Sequence, residues 1–218
     1  MFDPTFIKGS KNELFMTEDI MINNRLETEL NPKIKSVGID YSMTSPAICL
    51  SFAENFAWEN CKIYYLTAKK KYLGCFADNK IVGEWLYKDW ESQQERFHAL
   101  SNWIMVHLKL DPNIKVYLED YSLGSKGRVF NIAENTGILK YNLYIQGNKT
   151  ILMPPSIVKK YATGKGNANK ELMYEVFYDE TKIDLEKILN CSISNPLTDI
   201  VDAYFICKYG KQYEQEQN

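Results

Sequence analysis

Four acidic residues sit inside stretches that are otherwise apolar. Asp40 ends Lys35-Ser36-Val37-Gly38-Ile39-Asp40, Glu119 ends Ile114-Lys115-Val116-Tyr117-Leu118-Glu119, and Asp199 and Asp202 interrupt Pro196-Leu197-Thr198-Asp199-Ile200-Val201-Asp202-Ala203. A buried, unpaired carboxylate is costly unless a cation or hydrogen-bond donors compensate it or its pKa rises. Singly, each acid has a plain structural explanation. Asp40 can be an Asx-turn acceptor, Glu119 with Asp120 a solvated strand end, and Asp199 a charge favoured by a helix N-terminus. Jointly, two strand-terminal carboxylates and a helical Asp-x-x-Asp face are the donor set of a hard divalent cation, because magnesium takes oxygen ligands and keeps positions for water and phosphate. Two such ions about 4 Å apart can activate a water and stabilise the departing oxygen of a phosphodiester.

The acids must be brought together by the elements that carry them. Lys35 to about Tyr41, Ala47 to Ala53 and Lys62 to Thr67 read as an antiparallel meander, with a polar turn at Ser42 to Ser45. Lys69 to Trp90, punctuated by Gly74, Asp78-Asn79 and Gly83, reads as an edge excursion with room for a small hairpin. Phe97, Leu100, Ile104 and Leu108 recur at helical spacing over Glu91 to Leu108, which also holds His98 and His107, read as structural or solvated. A strand from Ile114 to Tyr121, a helix from Asn131 to Tyr144 and a strand from Lys149 to Met153 follow. Pro154-Pro155 opens a helix through Tyr161, and another runs from Ala168 to Tyr178. The last helix is expected from an Asn195 cap, with Pro196 at its first position, to a terminating Gly210. This order predicts an α/β domain, a mixed sheet with helices on both faces, over residues 34–212. Residues 1–33 read as an arm with a short helix around Glu13 to Leu26, and residues 213–218 as a polar tail.

A chain of 218 residues, 45% apolar and 13% aromatic, suits one well-packed domain with extensions. It has no long apolar run and no basic-then-apolar start, so a soluble, intracellular protein without membrane attachment is expected. Five cysteines without a Cys-x-x-Cys pair argue against a disulfide framework and a zinc knuckle. The net charge is −2, yet from Tyr121 to Lys170 the cations Lys126, Arg128, Lys140, Lys149, Lys159, Lys160, Lys165 and Lys170 face Glu134 alone. Such a block is either a solvated face or a phosphate-binding surface.

Val37-Gly38-Ile39-Asp40-Tyr41-Ser42, Tyr117-Leu118-Glu119-Asp120 and Asp199-Ile200-Val201-Asp202-Ala203 resemble, in order and spacing, the acidic motifs of RuvC-type Holliday junction resolvases of the ribonuclease H-like superfamily. The variant Gly38-Ile39-Asp40-Tyr41-Ser42-Met43-Thr44-Ser45 is similar to viral and phage versions. Met153 to Lys160 and Gly164 to Lys170 are similar to the family's lysine-bearing stretch before the last acidic motif. The resemblance implies a ribonuclease H-like fold with a mixed five-stranded sheet. It also implies a homodimer that binds branched DNA, above all four-way junctions, and nicks two strands symmetrically with two magnesium ions, or manganese in their place. On it, Asp40, Glu119, Asp199 and Asp202 would be metal ligands, and Lys159 and Lys170 would hold phosphates or stabilise developing charge, Lys170 as part of the catalytic set. The basic block, with Lys126, Arg128, Lys159, Lys160, Lys165 and Lys170, would supply sequence-independent phosphate contacts, and Tyr121 would contact DNA beside it. One departure concerns the aromatic that follows the motif glutamate by three residues, where this chain has Ser122; Tyr121 or Phe130 could take its place. Three other readings stay open: a ribonuclease H-like nuclease for hybrids, flaps or forks, a non-catalytic junction-binding module, and an actin-like ATPase opening at Gly38-Ile39-Asp40. The last lacks the length and the late glycine-pair motif of that class.

Overall fold

In the computed structural model, residues 33–86, 89–108, 111–120 and 129–217 are described. The alternation of its first strand sets up two layers. In β1 (Ser36–Asp40), Val37 and Ile39 face one side of the sheet, and Ser36, Gly38 and Asp40 face the other. β2 (Ala47–Ser51) and β3 (Cys61–Thr67) continue as an antiparallel meander, with Asp40 opposite Ala47 and Ala47 opposite Tyr65. β4 (Gly74–Phe76) and β5 (Ile81–Trp85) form a hairpin whose β5 pairs parallel to β3.

α1 (Gln93–His107) follows, capped by the Ser92 side chain, which accepts from Glu95 N–H at 3.1 Å. β6 (Lys115–Glu119), α2 (Val129–Gln146) and β7 (Lys149–Met153) come next, β6 lying parallel to both β1 and β7. The chain ends with α3 (Pro155–Thr163), α4 (Lys170–Thr181), α5 (Leu185–Leu189) and α6 (Leu197–Gln217).

The strand order is β4-β5-β3-β2-β1-β6-β7. The mixed sheet with flanking helices is as expected, but it has seven strands instead of five. The hairpin of the Lys69–Trp90 excursion joins the β3 edge and extends the sheet, because Ile63 to Thr67 offers a free ladder to Ile81 to Trp85. Gly83 permits this: a Cβ there would lie 1.9 Å from the Tyr72 carbonyl.

Val37, Ile39, Ile48, Val116 and Leu118 pack with Leu100, Ile104, Leu139 and Leu143 of α1 and α2 on one face. Tyr65, Tyr117, Phe177, Leu185, Ile200 and Phe205 build the core on the other, under α4, α5 and α6. His107 belongs to the first layer, stacked on Tyr64 with centroids 4.0 Å apart and 3.2 Å from Glu84 Oε2, while His98 pairs with Asn102 on the exposed side. The five cysteines are free thiols; Cys49, Cys61 and Cys207 are buried. Among the described residues, no helix is long and apolar enough to cross a membrane.

The last helix departs from expectation at both ends. It opens at Leu197, after a cis Asn195–Pro196 bond, and it runs through Gly210 to Gln217. Gly210 is a packing glycine, not a stop: a Cβ on it would lie 2.2 Å from the Tyr117 ring. Residues 213–217 of the expected polar tail therefore extend the helix, and Glu214 there accepts a hydrogen bond from Lys115 Nζ. The residue 1–32 arm and its expected helix lie outside the described residues.

Candidate active site

α6 lies across β1 with almost nothing between the two backbones. The Cys207 thiol is 3.6 Å from Ser36 Oγ, and a Cβ on Gly38 would meet Cys207 N at 2.2 Å and the Ala203 carbonyl at 2.6 Å. Two residues of strand advance about 6.6 Å and four residues of helix about 6 Å, so the two elements stay in step. Moving from Ser36 to Gly38 to Asp40 along β1 matches moving from Cys207 to Ala203 to Asp199 along α6. Asp199 thus lands over Asp40, and Asp202 joins it from the same face of the helix.

The neighbouring strand delivers the next acid by register. Gly38 pairs with Tyr117 and Ile39 with Leu118 in the parallel β1–β6 ladder, so one further step sets Asp40 beside Glu119. Asp40 and Asp199 are 7% and 5% exposed, and Glu119 and Asp202 are half-buried. Burial first, then the charges of Asp199, Glu119 and Asp202, push the Asp40 carboxyl well above its usual range, and it shares hydrogen bonds with Glu119 and Asp199. Burial raises Glu119 to about 7, with Asp202 adding to the rise and Lys159 opposing it. Asp199 rises to about 7, again through burial, against the pull of the Ser45 hydroxyl and Lys170. Burial takes Asp202 to about 6, moderated by Lys159 and Lys170.

Two lysines complete the cluster. Lys159 is carried by α3, which leaves β7 immediately beyond Met153, the residue paired with Glu119. Lys170 opens α4, and its Nζ lies 3.4 Å from Thr198 Oγ1, whose own hydroxyl donates to Asn195 Oδ1 at 3.0 Å. Lys159, Lys170, Thr198 and Asp202 line one small pocket.

Of the residues singled out in the sequence, Asp40, Glu119, Asp199, Asp202, Lys159 and Lys170 thus come together. Lys160 and Lys165 are exposed on and just after α3. Tyr121, Lys126 and Arg128 lie outside the described residues. Ser45, Thr198 and Asn195 join the cluster, Asn195 being the residue expected only as a helix cap. For the other two the only sequence signal is adjacency, Ser45 in the polar turn after Asp40 and Thr198 directly before Asp199.

Among the described residues, no three acid, histidine or cysteine side chains close tightly enough to grip one ion as they stand. The donor chemistry nevertheless fits a hard cation. The donors are all carboxylate, the Asp40 hydrogen bonds to its neighbours are those of acids crowded without a counter-charge, and Asp199 Oδ2 is buried with no hydrogen-bond partner.

The seven-stranded mixed sheet with helices on both faces is a ribonuclease H-like fold. Thermus thermophilus RuvC superposes with a TM-score of 0.55 at 15% identity, over 83% of this chain and 95% of that one. T. thermophilus RuvC in complex with a Holliday junction substrate gives 0.57 at 16% identity, over 84% and 97%. No protein-family model and no curated protein matches the sequence.

Proposed function

We propose that this chain is a structure-selective DNA endonuclease that resolves four-way junctions or related branched DNA by metal-dependent phosphodiester hydrolysis. The observation that carries the reading is the buried meeting of Asp40 with Glu119, Asp199 and Asp202, flanked by Lys159 and Lys170. The likeness of the fold to a RuvC bound to a junction favours branched DNA over other polyphosphates.

Asp40, Glu119, Asp199 and Asp202 would hold two magnesium ions, or manganese in their place. When bound, these would supply the charge that activates a water for in-line attack at phosphorus and steadies the departing oxygen. The chain's own residues do the rest. Asp40 is the central acid, in contact with the β6 and α6 acids at once. The Ser45 hydroxyl beside Asp199 favours the charged form of that carboxylate. Lys159 and Lys170 draw phosphate toward the acids and stabilise negative charge that grows on the scissile group. Lys160 and Lys165 extend the cationic surface, and attack from the side opposite the 3′ oxygen would leave a 5′-phosphate and a 3′-hydroxyl.

Symmetric nicking requires two such sites, hence two copies. The exposed α2 stripe of Phe130, Tyr141, Tyr144 and Ile145, 83% and 75% exposed at Phe130 and Tyr144, is the surface we assign to self-association. The test is a cleavage panel of four-way junction, fork, flap, RNA–DNA hybrid and linear duplex, with and without magnesium, with Asp40→Asn as control. Paired nicks across the junction are expected. Preference for hybrid, flap or fork would move the chain to another ribonuclease H-like activity, and metal-independent binding with no cleavage would make it a junction-binding module.

A further inference from the structure

A second feature adjoins the acids. A cleft of about 420 Å³ opens between the β1–β2 turn, the end of β3, the start of α1 and the approach to α6. That volume lies within the range of about 300–1,000 Å³ typical of small-ligand sites. Ser45, Thr67, Lys69, Trp90, Arg96 and Asn195 are among its walls; of the described residues lining it, two are cationic and none is acidic.

Two walls are shared with the acid cluster. The Ser45 hydroxyl faces Asp199 and favours its charged form, and Asn195 is tied through Thr198 to Lys170. The cleft is braced, because Arg96 Nη2 donates to the Met43 carbonyl and so fastens α1 to the β1–β2 turn. The same guanidinium keeps a buried Nε–H with no partner. Lys69 is exposed at the rim, and Trp90 is half-buried, packed on the layer beneath. A cleft with one braced and one exposed cation, hydroxyls and one large aromatic wall has the chemistry of a nucleotide site. Lys and Arg take phosphate, the indole takes the face of a base, and the hydroxyls and the Asn195 amide take its edge.

We propose that this cleft receives one unpaired nucleotide of the strand being cut, a step or two from the scissile phosphate, with its base against Trp90 and its phosphate on Lys69 and Arg96. The inference rests on the nuclease reading above. It makes the enzyme select sites where a base next to the cut is free to leave its stack, as it is at a branch and not in continuous duplex.

The experiment is a binding cycle on four-way junction DNA without divalent ions, so that no cleavage intervenes. Single abasic positions are scanned around the branch against the wild-type chain, Trp90→Leu and Trp90→Phe, with fluorescence anisotropy as the readout. At one position beside the cut, base removal weakens wild-type binding about tenfold. Trp90→Leu binds the intact junction as weakly as wild type binds the abasic one and is indifferent to that abasic position, whereas Trp90→Phe behaves as wild type. Losses that simply multiply, or no sensitive position, overturn the proposal. If Trp90→Leu does not melt like wild type, Lys69→Gln replaces it. It alters an exposed side chain and should lower the slope of log affinity against log salt by about one, and an unchanged slope overturns the phosphate contact. Failure of the nuclease reading shows separately, as a closed cycle in a protein that never cuts DNA with magnesium. A protein that binds no DNA overturns both.

Discussion

Replacing Gly38 by alanine tests the device that assembles the candidate site. The added methyl carbon would stand 2.2 Å from Cys207 N, 2.6 Å from Cys207 Cα and 2.6 Å from the Ala203 carbonyl. Non-bonded carbons rest at about 3.5–4.0 Å, so α6 must retreat from β1 by more than an ångström or the strand must bow. Every atom it meets is backbone, so no side chain can swing away to relieve the contact. Overpacking of a core costs about 1–3 kcal/mol, occasionally more, and the upper end is expected here. The retreat would also lift Asp199 and Asp202 from Asp40 and Glu119. A displacement near 1 Å in a catalytic constellation can reduce turnover about a hundredfold. Urea unfolding, manganese affinity by calorimetry and junction cleavage should therefore all suffer in Gly38→Ala. Gly137→Ala is the control, because a Cβ there meets nothing within 4 Å and the helix α2 should be unharmed or slightly firmer. If Gly38→Ala unfolded at the wild-type urea concentration and cleaved at the wild-type rate, the close-approach argument would be refuted.

The crowded acids predict a conflict between stability and activity. Asp40→Asn removes the acid that folding must either bury as a charge or protonate, so it should abolish cleavage yet raise the metal-free melting temperature by several degrees, as about 1–2 kcal/mol in a domain of this size would; a lower melting temperature would show that the acids do not repel. For pH the sign follows from linkage: Glu119 and Asp199 titrate near 7 and Asp202 near 6 in the folded state, against about 4 when unfolded. The folded state therefore binds more protons between those values, and the contribution of these groups to stability, complete below about 4, is lost as pH rises through 6 to 7. Metal-free thermal melts should accordingly fall from pH 5 to pH 8, and magnesium should restore the loss at pH 8; a flat profile would contradict the raised values. Lys170→Gln withdraws a cation that holds Asp199 and Asp202 down, so the rising limb of the cleavage–pH profile should move to higher pH, whereas the exposed Lys165→Gln should leave that limb in place and only flatten the salt dependence of binding.

Which parts of this arrangement were legible in the sequence follows from the range of the interactions that encode them. Local patterns were: the β1 and β6 strands, the helix on Phe97, Leu100 and Ile104, and the Pro154-Pro155 helix start are all set by neighbours within a turn or two. Gly210 misled because glycine has two uses, ending a helix and admitting a neighbour, and only the Tyr117 ring, distant in sequence, decides between them. The β4–β5 extension was faint because β4 has three residues, two of them exposed, and its place depends on pairing with β3. The acids themselves stood out as charges in apolar runs, but what joins them is the register of β1 on β6 and the step-for-step match of β1 with α6, neither of which leaves a local trace. Gly38 carries that information most densely. It sits two residues from Asp40, so the residue that lets the helix approach shares the strand, and the face of the strand, with the acid the helix must reach. A substitution that spared every carboxylate could therefore still dismantle the site, and an acidic motif without its glycine would be weak grounds for inferring the same chemistry.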